Sequence, residues 1–114
     1  MEGCFVRFYL HEDQRCQGRL AWEWLLDQAN RLGVRGGSAF KAIAGFGRHH
    51  QLHESHFFEL AGSLPVEVDF IVTEEESERL LDLLRQAGLR VPYAHIPARF
   101  GIVNAERDDP VDDP

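Results

Sequence analysis

Val66-Glu67-Val68-Asp69-Phe70-Ile71-Val72-Thr73-Glu74-Glu75-Glu76 (residues 66–76) changes from one hydrophobic period to another within a few positions. Val66, Val68, Phe70 and Val72 alternate with Glu67 and Asp69, the period of two that gives a strand one apolar side. Thr73 and Glu76 then have the spacing of a capping box, and Glu74 to Glu76 put negative charge at the positive end of a helix dipole. Leu80, Leu83, Leu84 and Ala87 follow at intervals of three and four, and Gly88 stops the pattern. The stretch therefore predicts a strand that passes directly into an amphipathic helix.

The same reading extends outward in both directions. Cys4, Val6, Phe8 and Leu10 alternate with Phe5, Arg7 and Tyr9, predicting a first strand over Cys4 to Leu10. From about Gly18 to Leu32 the period becomes helical, with Trp22, Leu25, Leu26, Ala29 and Leu32 on one stripe and Gly33 in a C-cap position. Ser38 to Phe46 returns to alternation and predicts a second strand, Phe57 to Leu60 a short extension pairing across the following loop, and Arg90 to Val103 a last extended segment. Pro92 and Pro97 each lack a backbone donor and belong at edges or bends. Asn104 to Pro114 is acidic and punctuated by proline, the composition of a disordered tail.

Strand, helix, strand, strand, helix, strand is the ferredoxin-like β-α-β-β-α-β order of the α+β class. It predicts one domain over residues 1–103, with an antiparallel four-stranded sheet and both helices on one face. The other sheet face would carry Phe5, Tyr9, Ile43 and Ile71 among charged residues, too apolar to stay bare, so subunit assembly is expected to cover it.

Composition narrows the function classes. The 114 residues carry a formal net charge of -7, with one lysine and eleven dispersed arginines. Phosphate-backbone binding needs clustered cations, so nucleic acid is not an expected partner. No apolar run approaches the ~20 residues of a membrane helix, and no secretory leader pattern opens the chain, which points to the cytoplasm. Cys4 and Cys16 are then expected as free thiols.

The most specialised stretch is Gly45-Phe46-Gly47-Arg48-His49-His50-Gln51-Leu52-His53-Glu54-Ser55-His56. It gathers four of the six histidines into eight positions behind a glycine pair. Glycines let backbone amides approach a ligand, and Arg48 beside them suits a phosphate or an intersubunit ion pair. They also suit a simple turn or bulge. The spacing of His49 and His53 fits a pair of ligands to zinc or another transition ion if the segment is helical, and the cluster fits equally a loop that charges together on acidification. Lys41 is expected in an intersubunit salt bridge, Trp22 and Trp24 in helix packing, and His11 and His95 in ordinary hydrogen bonds. Cys4 and Cys16 have no assignable histidine partner, and no serine has a nucleophile-elbow context, so no enzyme activity is expected.

Leu32-Gly33-Val34-Arg35-Gly36-Gly37, then Ser38 to Ala44, then Gly45-Phe46-Gly47-Arg48-His49 with His53 four residues on, and Leu64-Pro65-Val66-Glu67-Val68 beyond, together resemble the PII-like proteins of the DUF190 (UPF0166) family. The resemblance covers roughly residues 4 to 103, and His50 and His56 are additions to its pattern. Gly45-Phe46-Gly47-Arg48 is more distantly similar to the start of the long loop in PII nitrogen-signalling proteins. The resemblance implies a homotrimer whose sheets face a shared centre. It implies a small effector, an adenine nucleotide in PII proteins, bound in clefts between subunits, and loops that engage a partner protein such as a transporter or enzyme. Gly45, Phe46, Gly47, Arg48, His49 and His53 would line that cleft. The lysine-rich phosphate-binding stretch of PII proteins is replaced here by Gln86-Ala87-Gly88-Leu89-Arg90, leaving Arg90 or Arg99 to substitute. The loop from Arg48 to Leu64 has no tyrosine, which excludes uridylylation of the PII kind. The alternative expectation is a metal-binding or metal-responsive protein using the His49–His56 cluster.

Overall fold

The computed structural model describes residues 1–45, 53–54 and 64–106, with only the backbone described for 53–54. Strand β1 (Glu2–His11) is followed by a small hairpin, β2 (Arg15–Cys16) and β3 (Arg19–Leu20), and by helix α1 (Ala21–Arg31). Then come β4 (Gly37–Lys41), β5 (Ala44–Gly45), β6 (His53–Glu54), β7 (Pro65–Val72), helix α2 (Glu74–Ala87) and β8 (Tyr93–Arg99). The main sheet has the order β4-β7-β1-β8 with every pair antiparallel. This is the ferredoxin-like α+β arrangement expected from the element order.

Register decides which side chains meet the helices. Cys4, Val6, Phe8 and Leu10 stand opposite Val72, Phe70, Val68 and Val66, and all eight are buried. They form one core with Ala21, Trp24, Leu25 and Ala29 of α1 and with Leu80 and Leu84 of α2. Both helices therefore cover the same face. Burial of this kind contributes about 25 cal/mol per Å² of apolar surface removed from water, and it is what holds the two layers together.

Local signals placed α2 well. Thr73 accepts from the Glu76 amide, the Glu76 carboxylate accepts from the Thr73 amide at 2.9 Å, and Gly88 closes the helix at φ 70°. The start of α1 lies three residues beyond the expected Gly18. Gln17 and Gly18 have φ values of 52° and 79° and form the two-residue turn between β2 and β3, a backbone that excludes helix. The buried stripe of α1 turns with it, so Trp24 is buried whereas Trp22 sits at the margin and Leu32 is partly exposed.

The second strand departs further from expectation. Alternation predicted one strand over Ser38 to Phe46, but pairing with β7 ends at Lys41, where the Ala42 amide bonds the Pro65 carbonyl at 2.9 Å. Ile43 then leaves the sheet and is 84% exposed, so it is not part of the open face. Ala44 and Gly45 pair separately with Glu54 and His53. The faces of β4 are also reversed: Ala39 lies opposite core residue Val68, and Phe40 lies opposite Glu67 on the open side. A short alternating run has no internal signal for which face is inside. Here Gly37 decides it, because a Cβ at that position would collide with the Phe70 ring, and the bare backbone lets β4 sit against it.

The last strand is shorter than Arg90 to Val103, and Pro97 lies within it on the sheet edge, as its missing donor requires. Phe57 to Leu60 lies outside the described residues, and of the expected tail from Asn104 to Pro114 only 104–106 are described, in an exposed turn. Lys41 bonds Glu12 of its own chain at 2.7 Å. Cys4 and Cys16 are free thiols, and burial raises the pKa of each. Among the described residues no helix is long and apolar enough to cross a membrane.

Candidate functional site

The face of the sheet away from the helices carries the side chains that the register forces outward: Phe5, Arg7, Tyr9, Phe40, Glu67, Asp69, Ile71 and Ile96. Tyr9, Phe40, Ile71 and Ile96 are each about half exposed or more in the single chain. At the centre Arg7 donates to Asp69 at 3.0 Å, reaches Glu67 as well, and lies 5.3 Å from the Phe5 ring centroid. The hydrogen bond to Asp69 is the main reason its pKa is raised above the ordinary arginine value. A cation held by two carboxylates and an aromatic ring is a fixed polar centre in an otherwise apolar surface.

At one edge this face opens into a cleft of about 370 Å³ lined by Phe5, Arg35, Gly36, Gly37, Ser38 and Phe40, among others. Arg35, Ile71 and Phe100 also line an adjoining hollow of about 250 Å³ that reaches Thr73 and Glu76. The Arg35 guanidinium lies 3.8 Å from the Met1 sulfur and has no carboxylate partner among the described residues. An arginine in that state suits an anionic group. Within the sequence, Arg35-Gly36-Gly37 stands out only as part of the family resemblance. The signal was nevertheless present, because it is the same pairing of glycine and arginine that drew attention to residues 45–48.

The residues singled out from sequence are distributed unevenly. Gly45 is half-buried in β5 with His53 as its backbone partner in β6. Its φ lies outside the left-handed range, and among the described residues nothing lies within 4 Å of where a Cβ would stand. Phe46, Gly47, Arg48 and His49 lie outside the described residues, as does the side chain of His53. Arg90 is exposed in the connection from α2 to β8. Arg99 ends β8, well exposed and 3.7 Å from Glu2. Gly45 lies in the β5–β6 hairpin that follows edge strand β4, whereas Arg90 and Arg99 flank the opposite edge strand β8; the two edge strands are three spacings, about 14 Å, apart. Arg90 enters β8 near the Phe8 end of β1 and Arg99 leaves it near Glu2, so those two are also far apart. Among the described residues, Gly45, Arg90 and Arg99 do not share a single pocket.

A family model described as DUF190, uncharacterized ACR, matches residues 3–90, which run from β1 through α2. The chain belongs to the DUF190 family. It is 34% identical over 80 residues to a UPF0166 protein of Aquifex aeolicus, an alignment covering 70% of this chain and 76% of that protein. It is 29% identical over 79 residues to a UPF0166 protein of Methanocaldococcus jannaschii, covering 69% of this chain and 72% of the other. Neither relative's name states an activity.

Proposed function

We propose that this protein is a non-enzymatic, cytoplasmic regulator of the PII-like kind. It forms a homotrimer, binds a small effector in clefts between subunits, and passes the bound state through residues 45–64 to a partner protein. The observation that supports this reading is that Gly45, in the β5–β6 hairpin that follows edge strand β4, and Arg90 and Arg99, flanking the opposite edge strand β8, share no pocket among the described residues of one chain. A cyclic assembly joins one edge of each protomer to the opposite edge of the next. Such closure brings the Gly45 and His53 side of one subunit toward the Arg90 and Arg99 side of its neighbour, and it buries the apolar face that a single chain leaves open.

An adenine nucleotide is the effector class that fits best. The cleft at Arg35 is within the usual size range of small-ligand sites, and Phe5, Phe40 and Phe100 give it an aromatic wall. Arg35 provides a cation for phosphate. Binding changes the activity of a partner only if two states of the 45–64 segment differ in affinity for the effector. Light scattering on the purified chain should give three times the mass of the monomer. Titration calorimetry with ATP, ADP, AMP and cyclic nucleotides should then give saturable heat with at least one of them, weakened by Arg35→Ala. A trimer that shows neither heat nor a thermal shift with any nucleotide would remove the nucleotide reading, and a monomer would remove the intersubunit cleft altogether.

A further inference from the structure

Cys4, Glu74 and His95 are separated in sequence but converge on one edge of the core. Cys4 lies on β1 and His95 on its neighbour β8. The cross-strand partners are Cys4 with Pro97 and Val6 with His95, so Cys4 and His95 project from the same face as diagonal neighbours. Glu74 is the first residue of α2, whose N-terminus lies over that corner of the sheet. The thiol sulfur, one carboxylate oxygen and one imidazole nitrogen all lie within 4.8 Å of one another. His95 Nε2 and Glu74 Oε2 are already 2.9 Å apart.

An ordinary reading makes this a surface histidine–carboxylate pair beside a buried core thiol. It leaves one atom unexplained. Ser77, one turn along α2 from Glu74 and only 1% exposed, has a hydroxyl oxygen with no hydrogen-bond partner. That hydroxyl adjoins the Cys4 thiol without the geometry of a satisfying bond. A buried unpaired hydroxyl costs about 1–3 kcal/mol, and such groups commonly mark the position of an ion or a water.

We propose that Cys4, Glu74 and His95 are the ligands of a divalent transition-metal site, with zinc the ion whose preferences the donor set matches. Thiolate, carboxylate and imidazole are the three donors zinc takes from proteins, at about 2.0–2.3 Å each, which sets tetrahedral donors about 3.3–3.8 Å apart, so side-chain rotation has roughly 1 Å to close from the present spread. The thiolate and carboxylate supply two negative charges to balance the ion. On binding, the Cys4 proton passes to solvent, and the ion replaces the direct bond between His95 and Glu74. A water completes the tetrahedron, and Ser77 Oγ is placed to bond that water or the thiolate, the outer contact such sites require. The His95 and Glu74 side chains are 33% and 64% exposed, so the ion enters from solvent at the sheet edge while Cys4 lies beneath. This site shares no residue with the histidine cluster at 49–56 or with the cleft at Arg35.

The test is cobalt and zinc titration of full-length, untagged protein stripped with chelator. Cobalt should bind at one equivalent per chain with a thiolate-to-cobalt charge-transfer band in the near ultraviolet. Zinc should displace it and end the band. His95→Gln and Glu74→Gln alter exposed side chains that leave the core intact, and each should weaken zinc by at least about tenfold in competition with a chromogenic chelator. Changing His49 and His53 together to Gln should leave the band and the affinity unchanged. No charge-transfer band in the unaltered protein would overturn the proposal. So would unaltered zinc affinity in folded His95→Gln, or loss of the band in the His49/His53 variant.

Discussion

Gly3 and Gly45 both lie on paired strands, yet their surroundings predict opposite responses to an added methyl group. A Cβ on Gly3 would collide with the Val72 carbonyl oxygen, a backbone atom fixed by the central β1–β7 ladder, and would crowd the Phe100 ring. Gly3→Ala is expected to destabilise the fold by about 2 kcal/mol or more, because backbone cannot rotate away as a side chain does. Gly45→Ala meets nothing within 4 Å among the described residues, at an ordinary φ, and should change stability by less than about 1 kcal/mol. Urea titration of both variants separates the two cases. If Gly45→Ala keeps its stability but loses effector heat, the glycine serves the ligand. Acid titration probes another single group. Arg19 donates to Asp27 at 2.9 Å and Arg31 approaches to 3.3 Å, holding the Asp27 carboxyl below its ordinary pKa. Its folded pKa is depressed, so its contribution is present at neutral pH and is lost as pH falls below about 4 toward the folded value. Asp27→Asn should flatten that part of the stability profile measured by urea midpoints across acid pH.

At the scale of elements, α2 and β4 show what local sequence controls. The capping box of α2 is a bond between neighbours in sequence, and it was legible because Thr73 and Glu76 meet wherever the helix is placed. Thr73→Ala should cost about 1 kcal/mol and speed amide exchange in the first turn of α2 ahead of the rest of the helix. The β4 strand was legible as a strand but not in its faces or its end. Its alternation fits either face, and the choice was made by contact between Gly37 and Phe70, which are distant in sequence. The ladder ends at Ala42, whose amide bonds the Pro65 carbonyl at the start of β7, where proline has no amide to donate back, again a partner far along the chain. The start of α1 is set locally instead: the primed turn at Gln17 and Gly18 closes the β2–β3 hairpin and holds the helix start at Ala21.

For the whole molecule, the consequence is a sheet with a helical layer on one side and half-exposed Tyr9, Phe40, Ile71 and Ile96 on the other. If trimerisation buries this face, Ile71→Glu places a charge in the interface and should yield a folded monomer by light scattering with unchanged far-ultraviolet circular dichroism. The core on the opposite side is untouched by that change, since Ile71 projects away from it. Thiol reactivity gives a control for native packing: Cys4 and Cys16 are 0% and 6% exposed with raised pKa values, so both should react slowly with a disulfide reagent until denaturant is added.

The sequence by itself determined the element order, the ends of α2, the apolar faces of β1 and β7, and membership of the DUF190 family. These follow from spacings of two, three and four residues, which act through immediate neighbours. Tertiary structure alone decided that Arg35 stands in an open cleft and that Gly45 is far from Arg90 and Arg99. It alone also brought Cys4, Glu74 and His95 within reach of one ion. Cross-strand register and the seating of a helix over a sheet join residues tens of positions apart, and no local period encodes which of them will meet.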